Sequence, residues 1–162
     1  MLKIFGTDGI RCRVNQEPMT VDTCLKIAKA AGYILSNKSQ KKNRVIISKD
    51  TRLSGYQYEP LITSGFVSMG IEAILVGPLP TSALPILIRS LRADMGVMIT
   101  ASHNTYEYNG LKFFDSEGNK ISKVIEKKIE NIISDKKQYD RISTLDYETG
   151  KAFRLEDAQG RY

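Results

Sequence analysis

Between residues 44 and 133, short apolar runs alternate with stretches in which apolar residues recur every three or four positions. The runs RVIIS (44–48), IEAILVG (71–77), MGVMIT (95–100) and GLKFF (110–114) predict strands. MGVMIT is apolar throughout, as expected of a strand covered on both faces. The periodic stretches predict helices. Leu25, Ala28, Gly32 and Leu35 share one helical face, in a segment opened by the capping candidate Thr20 with Pro18 just upstream. A second helix is expected over about residues 58–69, ending at Gly70. PTSALPILIRSLR predicts a third, starting near Pro80 with Thr81 or Ser82 in its first turn and Pro85 early enough to be accommodated. Ile121, Val124, Ile125, Ile129, Ile132 and Ile133 form the apolar stripe of a last helix, with lysines opposite.

Strands alternating with helices imply an α/β fold: a three-layer α/β/α domain around a mostly parallel, mixed four-stranded sheet. The rhythm holds over residues 1–135 and fades over 136–162, which reads as a loop-rich exit segment toward a further domain.

Composition agrees with one packed domain. Hydrophobic residues make up 41% and charged residues 26% of the 162, enough for a sizeable core. No apolar run is long enough to cross a bilayer, MLKIFGTDGIR lacks a cleavable secretory pattern, and Cys12 and Cys24 form neither a disulfide framework nor a zinc motif. A cytoplasmic protein with no membrane association is expected. The net charge of +6 raises the question of nucleic acid. Much of it lies in NKSQKKNR and EKKIENIISDKK, the second with its own acids interleaved, so a solvated face is favoured over specific nucleic-acid binding.

Chemistry concentrates in TASHNTYEYNGLKFF (100–114), where an apolar run turns polar and sets Ser102 beside His103, the chain's one histidine. Ligands of such sheets bind beyond the carboxyl ends of strands, where Ser102 should emerge. SKDTRLSG (48–55) follows another strand and brings Lys49, Arg52 and Ser54, a set suited to anions; GPLPT (77–81) and GTDGIR (6–11) supply further loops, the latter with Arg11. Each alone is better explained as a tight turn. A serine hydrolase is disfavoured: adjacent residues of an extended loop point apart, so His103 is poorly placed to activate Ser102, and no G-x-S-x-G elbow occurs.

Taken in order, FGTDGIR, SKDTRLSGY, GPLPT, LRADMGVMITASHN, NGLKFF and DAQGRY resemble the N-terminal domain of the α-D-phosphohexomutase superfamily, in its bacterial phosphoglucosamine mutase branch. The resemblance implies that Ser102 carries a phosphoryl group, passes it to a hexosamine phosphate to form a bisphosphate, and takes the other phosphate back. It implies Lys112 as proton shuttle, Arg11 as its assistant from the facing loop, and His103 as a partner of the phosphoserine or the attacking hydroxyl. Thr7, Lys49, Arg52, Asn104 and Asn109 are implied as phosphate- or substrate-binding residues. It also implies Mg2+ held through the phosphoryl group on Ser102 and otherwise by another domain, a sugar bisphosphate activator, and the remaining mutase domains as partners. A phosphoserine adds about 1.5 to 2 negative charges, which cations must hold.

Thr105 stands where that family usually has proline, Tyr108 where the glucosamine branch usually has aspartate, and Cys12 and Ser82 where glycine and proline are usual. No triple-aspartate DGDGDR-type loop is present, so the chain alone is expected to turn over little substrate. The alternatives are a phosphomannomutase or phosphoglucomutase of the same superfamily, suggested by Tyr108, and an inactive basic binding remnant, suggested by the charge.

Overall fold

The structure, a computed structural model, describes residues 3–39 and 42–162; Met1 and Leu2 of the N-terminal stretch, and Gln40 and Lys41 of the first basic run, lie outside them. The elements in chain order are β1 (Ile10–Arg13), α1 (Val21–Leu35), β2 (Arg44–Lys49), α2 (Gly55–Ser68), β3 (Glu72–Pro78), α3 (Ala83–Ser90), β4 (Met95–Ile99), β5 (Tyr108–Phe114), α4 (Lys123–Ser134), α5 (Lys136–Ser143), β6 (Ala152–Arg154) and α6 (Ala158–Arg161). They form one six-stranded sheet in the order β1-β5-β4-β2-β3-β6. β2 lies parallel to β3 and β4, β6 parallel to β3, and β5 antiparallel to both β4 and β1.

The pleat of the central strands divides the core between the two faces. Val45 and Ile47 of β2 join Val97 and Ile99 of β4 against α1, α2 and α4. Ile46 of β2 and Met98 of β4 turn the other way, against Leu84, Leu87 and Ile88 of α3. Alternate residues of a strand point to opposite faces, so an all-apolar strand is what two covering layers require. Thr20 caps α1 by accepting the Thr23 amide, and Ser122 does the same for α4 through the Ile125 amide. Pro85 is the third residue of α3, where its missing N–H would have had no intrahelical partner.

Two parts of the sequence reading are corrected. The sheet has six strands where four were expected; β1 and β6 add one edge each. IRCR alternates apolar and basic residues over only four positions, and β6 is three residues long, so neither leaves a legible run. The segment after residue 135, expected to be loop-rich, carries α5, β6 and α6. Asp135 caps α5 through the Lys137 and Gln138 amides, Ile142 is buried, and β6 pairs with β3 from Ala73↔Ala152 to Leu75↔Arg154.

Gly110 locks the center of β5. A Cβ there would stand 2.2 Å from the Ile10 carbonyl oxygen and 2.8 Å from that of Thr100, with backbone on both sides. Gly110→Ala is therefore expected to lower stability by about 3 kcal/mol or more in urea unfolding, since neither neighbor can yield. A second expectation concerns alkali. Burial pushes the Cys24 thiol up to about 12, and burial likewise raises the Tyr58 phenol to about 12. Both stay neutral in the folded chain and ionise more readily once it unfolds. Their contribution is thus whole below the thiol's ordinary 9.0 and is lost as pH rises through 12. Urea titrations at pH 8 and pH 11 should differ by on the order of 3 kcal/mol through Cys24, with a shallower decline in Cys24→Ala.

Candidate active site

The parallel register of β2 and β4 sets Lys49 opposite Ile99, so the loops that follow the two strands leave the sheet side by side. Asp50, first in the β2 loop, donates its amide to the Ile99 carbonyl and accepts the Thr100 hydroxyl at Oδ2 over 2.6 Å. Thr100 Oγ1 in turn accepts the Ser102 amide at 2.9 Å. Ser102 takes φ +55, a left-handed conformation uncommon outside glycine, and its side chain is exposed, as is that of His103. Among the described residues no hydrogen bond joins the Ser102 hydroxyl to His103, so the pair lacks the arrangement of a serine hydrolase.

The facing wall comes from the glycine-rich loop before β1 and from β5. The Gly6 amide bonds the Gly9 carbonyl, and Gly9, at φ +80, lies where a Cβ would be 2.4 Å from the Leu111 carbonyl oxygen. This close approach brings Asp8 against β5. Asp8 Oδ2 accepts Lys112 Nζ at 2.8 Å and also pairs with the Arg11 guanidinium. The hydrogen bond from Lys112, with the charges of Lys112, Arg11 and Lys120, holds the Asp8 carboxyl below the ordinary aspartate range against the opposing effect of burial. Arg11 Nη1 reaches Asn104 Oδ1 at 3.3 Å, tying this wall to the serine loop, and its Nε is buried without a partner among the described residues.

Ser102, His103, Asn104, Arg11 and Lys112 thus gather at one rim, and Thr7 lies exposed on the facing loop with its carbonyl accepting Lys120 Nζ. The remaining three proposed binding residues are held differently. Asn109 is fully buried, donating to Ser54 Oγ at 2.7 Å and accepting the Gly110 amide. Lys49 forms an ion pair with the buried Glu59, which Arg154 of β6 also meets at 3.0 Å. Arg52 donates to Asp50 and to carbonyls of the serine loop. Losing one member of a buried pair such as Lys49–Glu59 typically costs about 3–5 kcal/mol, which marks a framework role for that lysine.

Sequence reasoning missed Asp8, Asp50 and Thr100. The available signal was a carboxylate inside an otherwise cationic motif, GTDGIR and SKDTR, since such an acid is placed to orient its basic neighbors. Among the described residues no group of three His, Cys, Asp or Glu side chains is placed to hold a metal ion, and no helix is long and apolar enough to cross a membrane.

The model of the phosphoglucomutase/phosphomannomutase alpha/beta/alpha domain I matches residues 2–140. A phosphoglucosamine mutase of Pelobacter propionicus is 47% identical over 162 residues, which is 100% of this chain and 36% of that protein. One of Rhodospirillum rubrum is 50% identical over 159 residues, covering 98% of this chain and 34% of that protein. The chain therefore spans about a third of the length of these curated relatives. The crystal structure of a phosphoglucomutase/phosphomannomutase family protein from Burkholderia thailandensis superposes with a TM-score of 0.77 over 97% of this chain and 34% of that one; at 24% identity it speaks for the fold alone. With the match covering most of its length, this chain belongs to the phosphoglucomutase/phosphomannomutase family and carries the family's alpha/beta/alpha domain I.

Proposed function

We propose that the chain is the serine-bearing domain of a phosphoglucosamine mutase, which interconverts glucosamine 6-phosphate and glucosamine 1-phosphate through a phosphoserine at Ser102. The observation that carries this reading is the exposed Ser102 on a fixed left-handed turn, in a loop that Asn104 ties to the Arg11–Asp8–Lys112 cluster. The relatives named phosphoglucosamine mutase support the sugar, at 47% and 50% identity.

Phosphoryl transfer asks a protein mainly for positioning and charge. When Ser102 gives up its phosphoryl group, the Oγ–P bond breaks as a bond forms from phosphorus to the sugar hydroxyl oxygen. Arg11 offsets the negative charge of the group in flight. Lys112 acts as the proton shuttle that takes the hydroxyl proton, and Asp8 holds the ammonium that results. The return transfer from the bisphosphate runs the same steps backward and leaves Ser102 phosphorylated again.

The remaining partners belong to the same proposal: a phosphosugar substrate, a sugar bisphosphate activator, and further mutase domains. Magnesium prefers six oxygen ligands in near-octahedral array. The residues at this rim do not form such a set, so magnesium would find one ligand in a Ser102 phosphoryl group and the others outside this chain. A cytoplasmic setting without specific nucleic-acid or membrane partners completes the reading.

A second reading, phosphomannomutase or phosphoglucomutase, rests on Tyr108. That side chain is half-buried with the Arg13 guanidinium 5.9 Å over its ring, a contact an aspartate could not make. Rates of the full-length protein on glucosamine, glucose and mannose phosphates decide between them, and glucosamine phosphate is expected to lead. In that protein Ser102→Ala should reduce turnover by about three orders of magnitude or more. Near-normal turnover of that variant would refute the phosphoserine. Lys112→Ala should cut kcat by about 100-fold while leaving the circular dichroism spectrum unchanged.

A further inference from the structure

We propose that Arg52 is the positioning residue of the serine loop: it fixes the backbone that presents Ser102 and does not bind the substrate's phosphate. The inference rests on the phosphoserine reading above.

A guanidinium has five N–H donors and no acceptor. Arg52 makes five donations. Nε gives to Asp50 Oδ2 at 2.9 Å. Nη1 gives to the carbonyls of Thr105 at 2.6 Å and Tyr108 at 3.1 Å. Nη2 gives to those of Ser102 and Asn104, each at 2.8 Å. An arriving phosphate finds no donor open. Arg11 differs, since among the described residues its guanidinium has only the Asp8 and Asn104 contacts and a partnerless Nε.

The four carbonyls run from Ser102 to Tyr108, the serine loop and the first residue of β5, and converge on a single planar cation. The Ser102 amide is set from the other side, by Thr100 Oγ1, whose own proton goes to Asp50. Asp50 also accepts the Arg52 amide at Oδ1, which holds the clamp itself in place. Both polar backbone groups of Ser102 thus lead to the Asp50–Arg52 pair. A serine at φ +55 persists only where its surroundings over-determine it, and these bonds do so. Lysine cannot reproduce the arrangement, because an ammonium offers three donors on a tetrahedral center and no flat fork.

Thr105 gives an independent handle on the same loop. Its carbonyl is clamped by Arg52 and also accepts the Tyr108 amide, but its own N–H has no acceptor among the described residues. A proline at 105 would therefore stiffen the loop without breaking a hydrogen bond.

The test has two parts. In the 162-residue chain, Arg52→Lys should speed hydrogen exchange of the amides in 102–108 by about tenfold or more, with exchange of the β4 and β2 core amides unchanged. In the full-length protein, Arg52→Lys and Arg52→Ala should lower kcat about 100-fold at a KM within about threefold of the parent. Adding Thr105→Pro to Arg52→Lys should recover a substantial part of the lost kcat. A raised KM with kcat retained would assign Arg52 to substrate phosphate and overturn the proposal, as would unaltered exchange in the loop. Full activity of Ser102→Ala would instead remove the phosphoserine reading beneath it. The exchange result, which needs no turnover, still judges whether Arg52 holds the loop.

Discussion

The register of β2 against β4 is the constraint from which the rest follows. Because Lys49 stands opposite Ile99, the next residues on the two strands, Asp50 and Thr100, meet at hydrogen-bonding distance just beyond the sheet. A shift by one residue would turn Val45 and Ile47 away from α1 and α2 and part that pair in the same stroke. Burying the strands on both faces thereby sets the geometry of the loops. The core fixes the site, and the site needs no separate scaffold.

Charge around the serine is organised as acids enclosed by bases. Asp8 gathers Arg11 and Lys112, Asp50 holds Arg52, and Glu59 lies between Lys49 and Arg154. Each carboxylate orients cations that would otherwise repel one another. The groups at Asp8 and Glu59 differ in how deeply the acid is set. Asp8 stands exposed at the rim, whereas Glu59 is only 5% exposed. A formal charge of +6 conveys none of this, since charge counted along a chain does not distinguish a paired cation from a free one.

Much of the fold was legible because periodicity reports burial. The four long strands and the capped helices α1 and α4 stood out through runs and stripes that only buried faces impose. β1 and β6 did not, since a short edge strand is defined by its partner's open backbone groups more than by its own side chains. The site divided along the same line. Ser102 and Lys112 could be put forward from the sequence, because each lies in a motif that resembles the family's. The inward turn of Asn109 and the exhaustion of the Arg52 donors depend on loops that meet only in three dimensions, more than 50 residues apart in sequence. The sequence also held the three acids that direct the cations, with only the cationic motifs around Asp8 and Asp50 to set two of them apart from surface carboxylates.

The three residues of β6 lie along the outer side of β3, contributing Phe153 to the packing beneath α3. Without them, β3 would present an unpaired row of amides and carbonyls beside apolar Ile74 and Val76. Such a row is a template for a strand from another molecule. That short tail thus serves as a seal against self-association, and a chain cut ahead of residue 152 would carry an adhesive border.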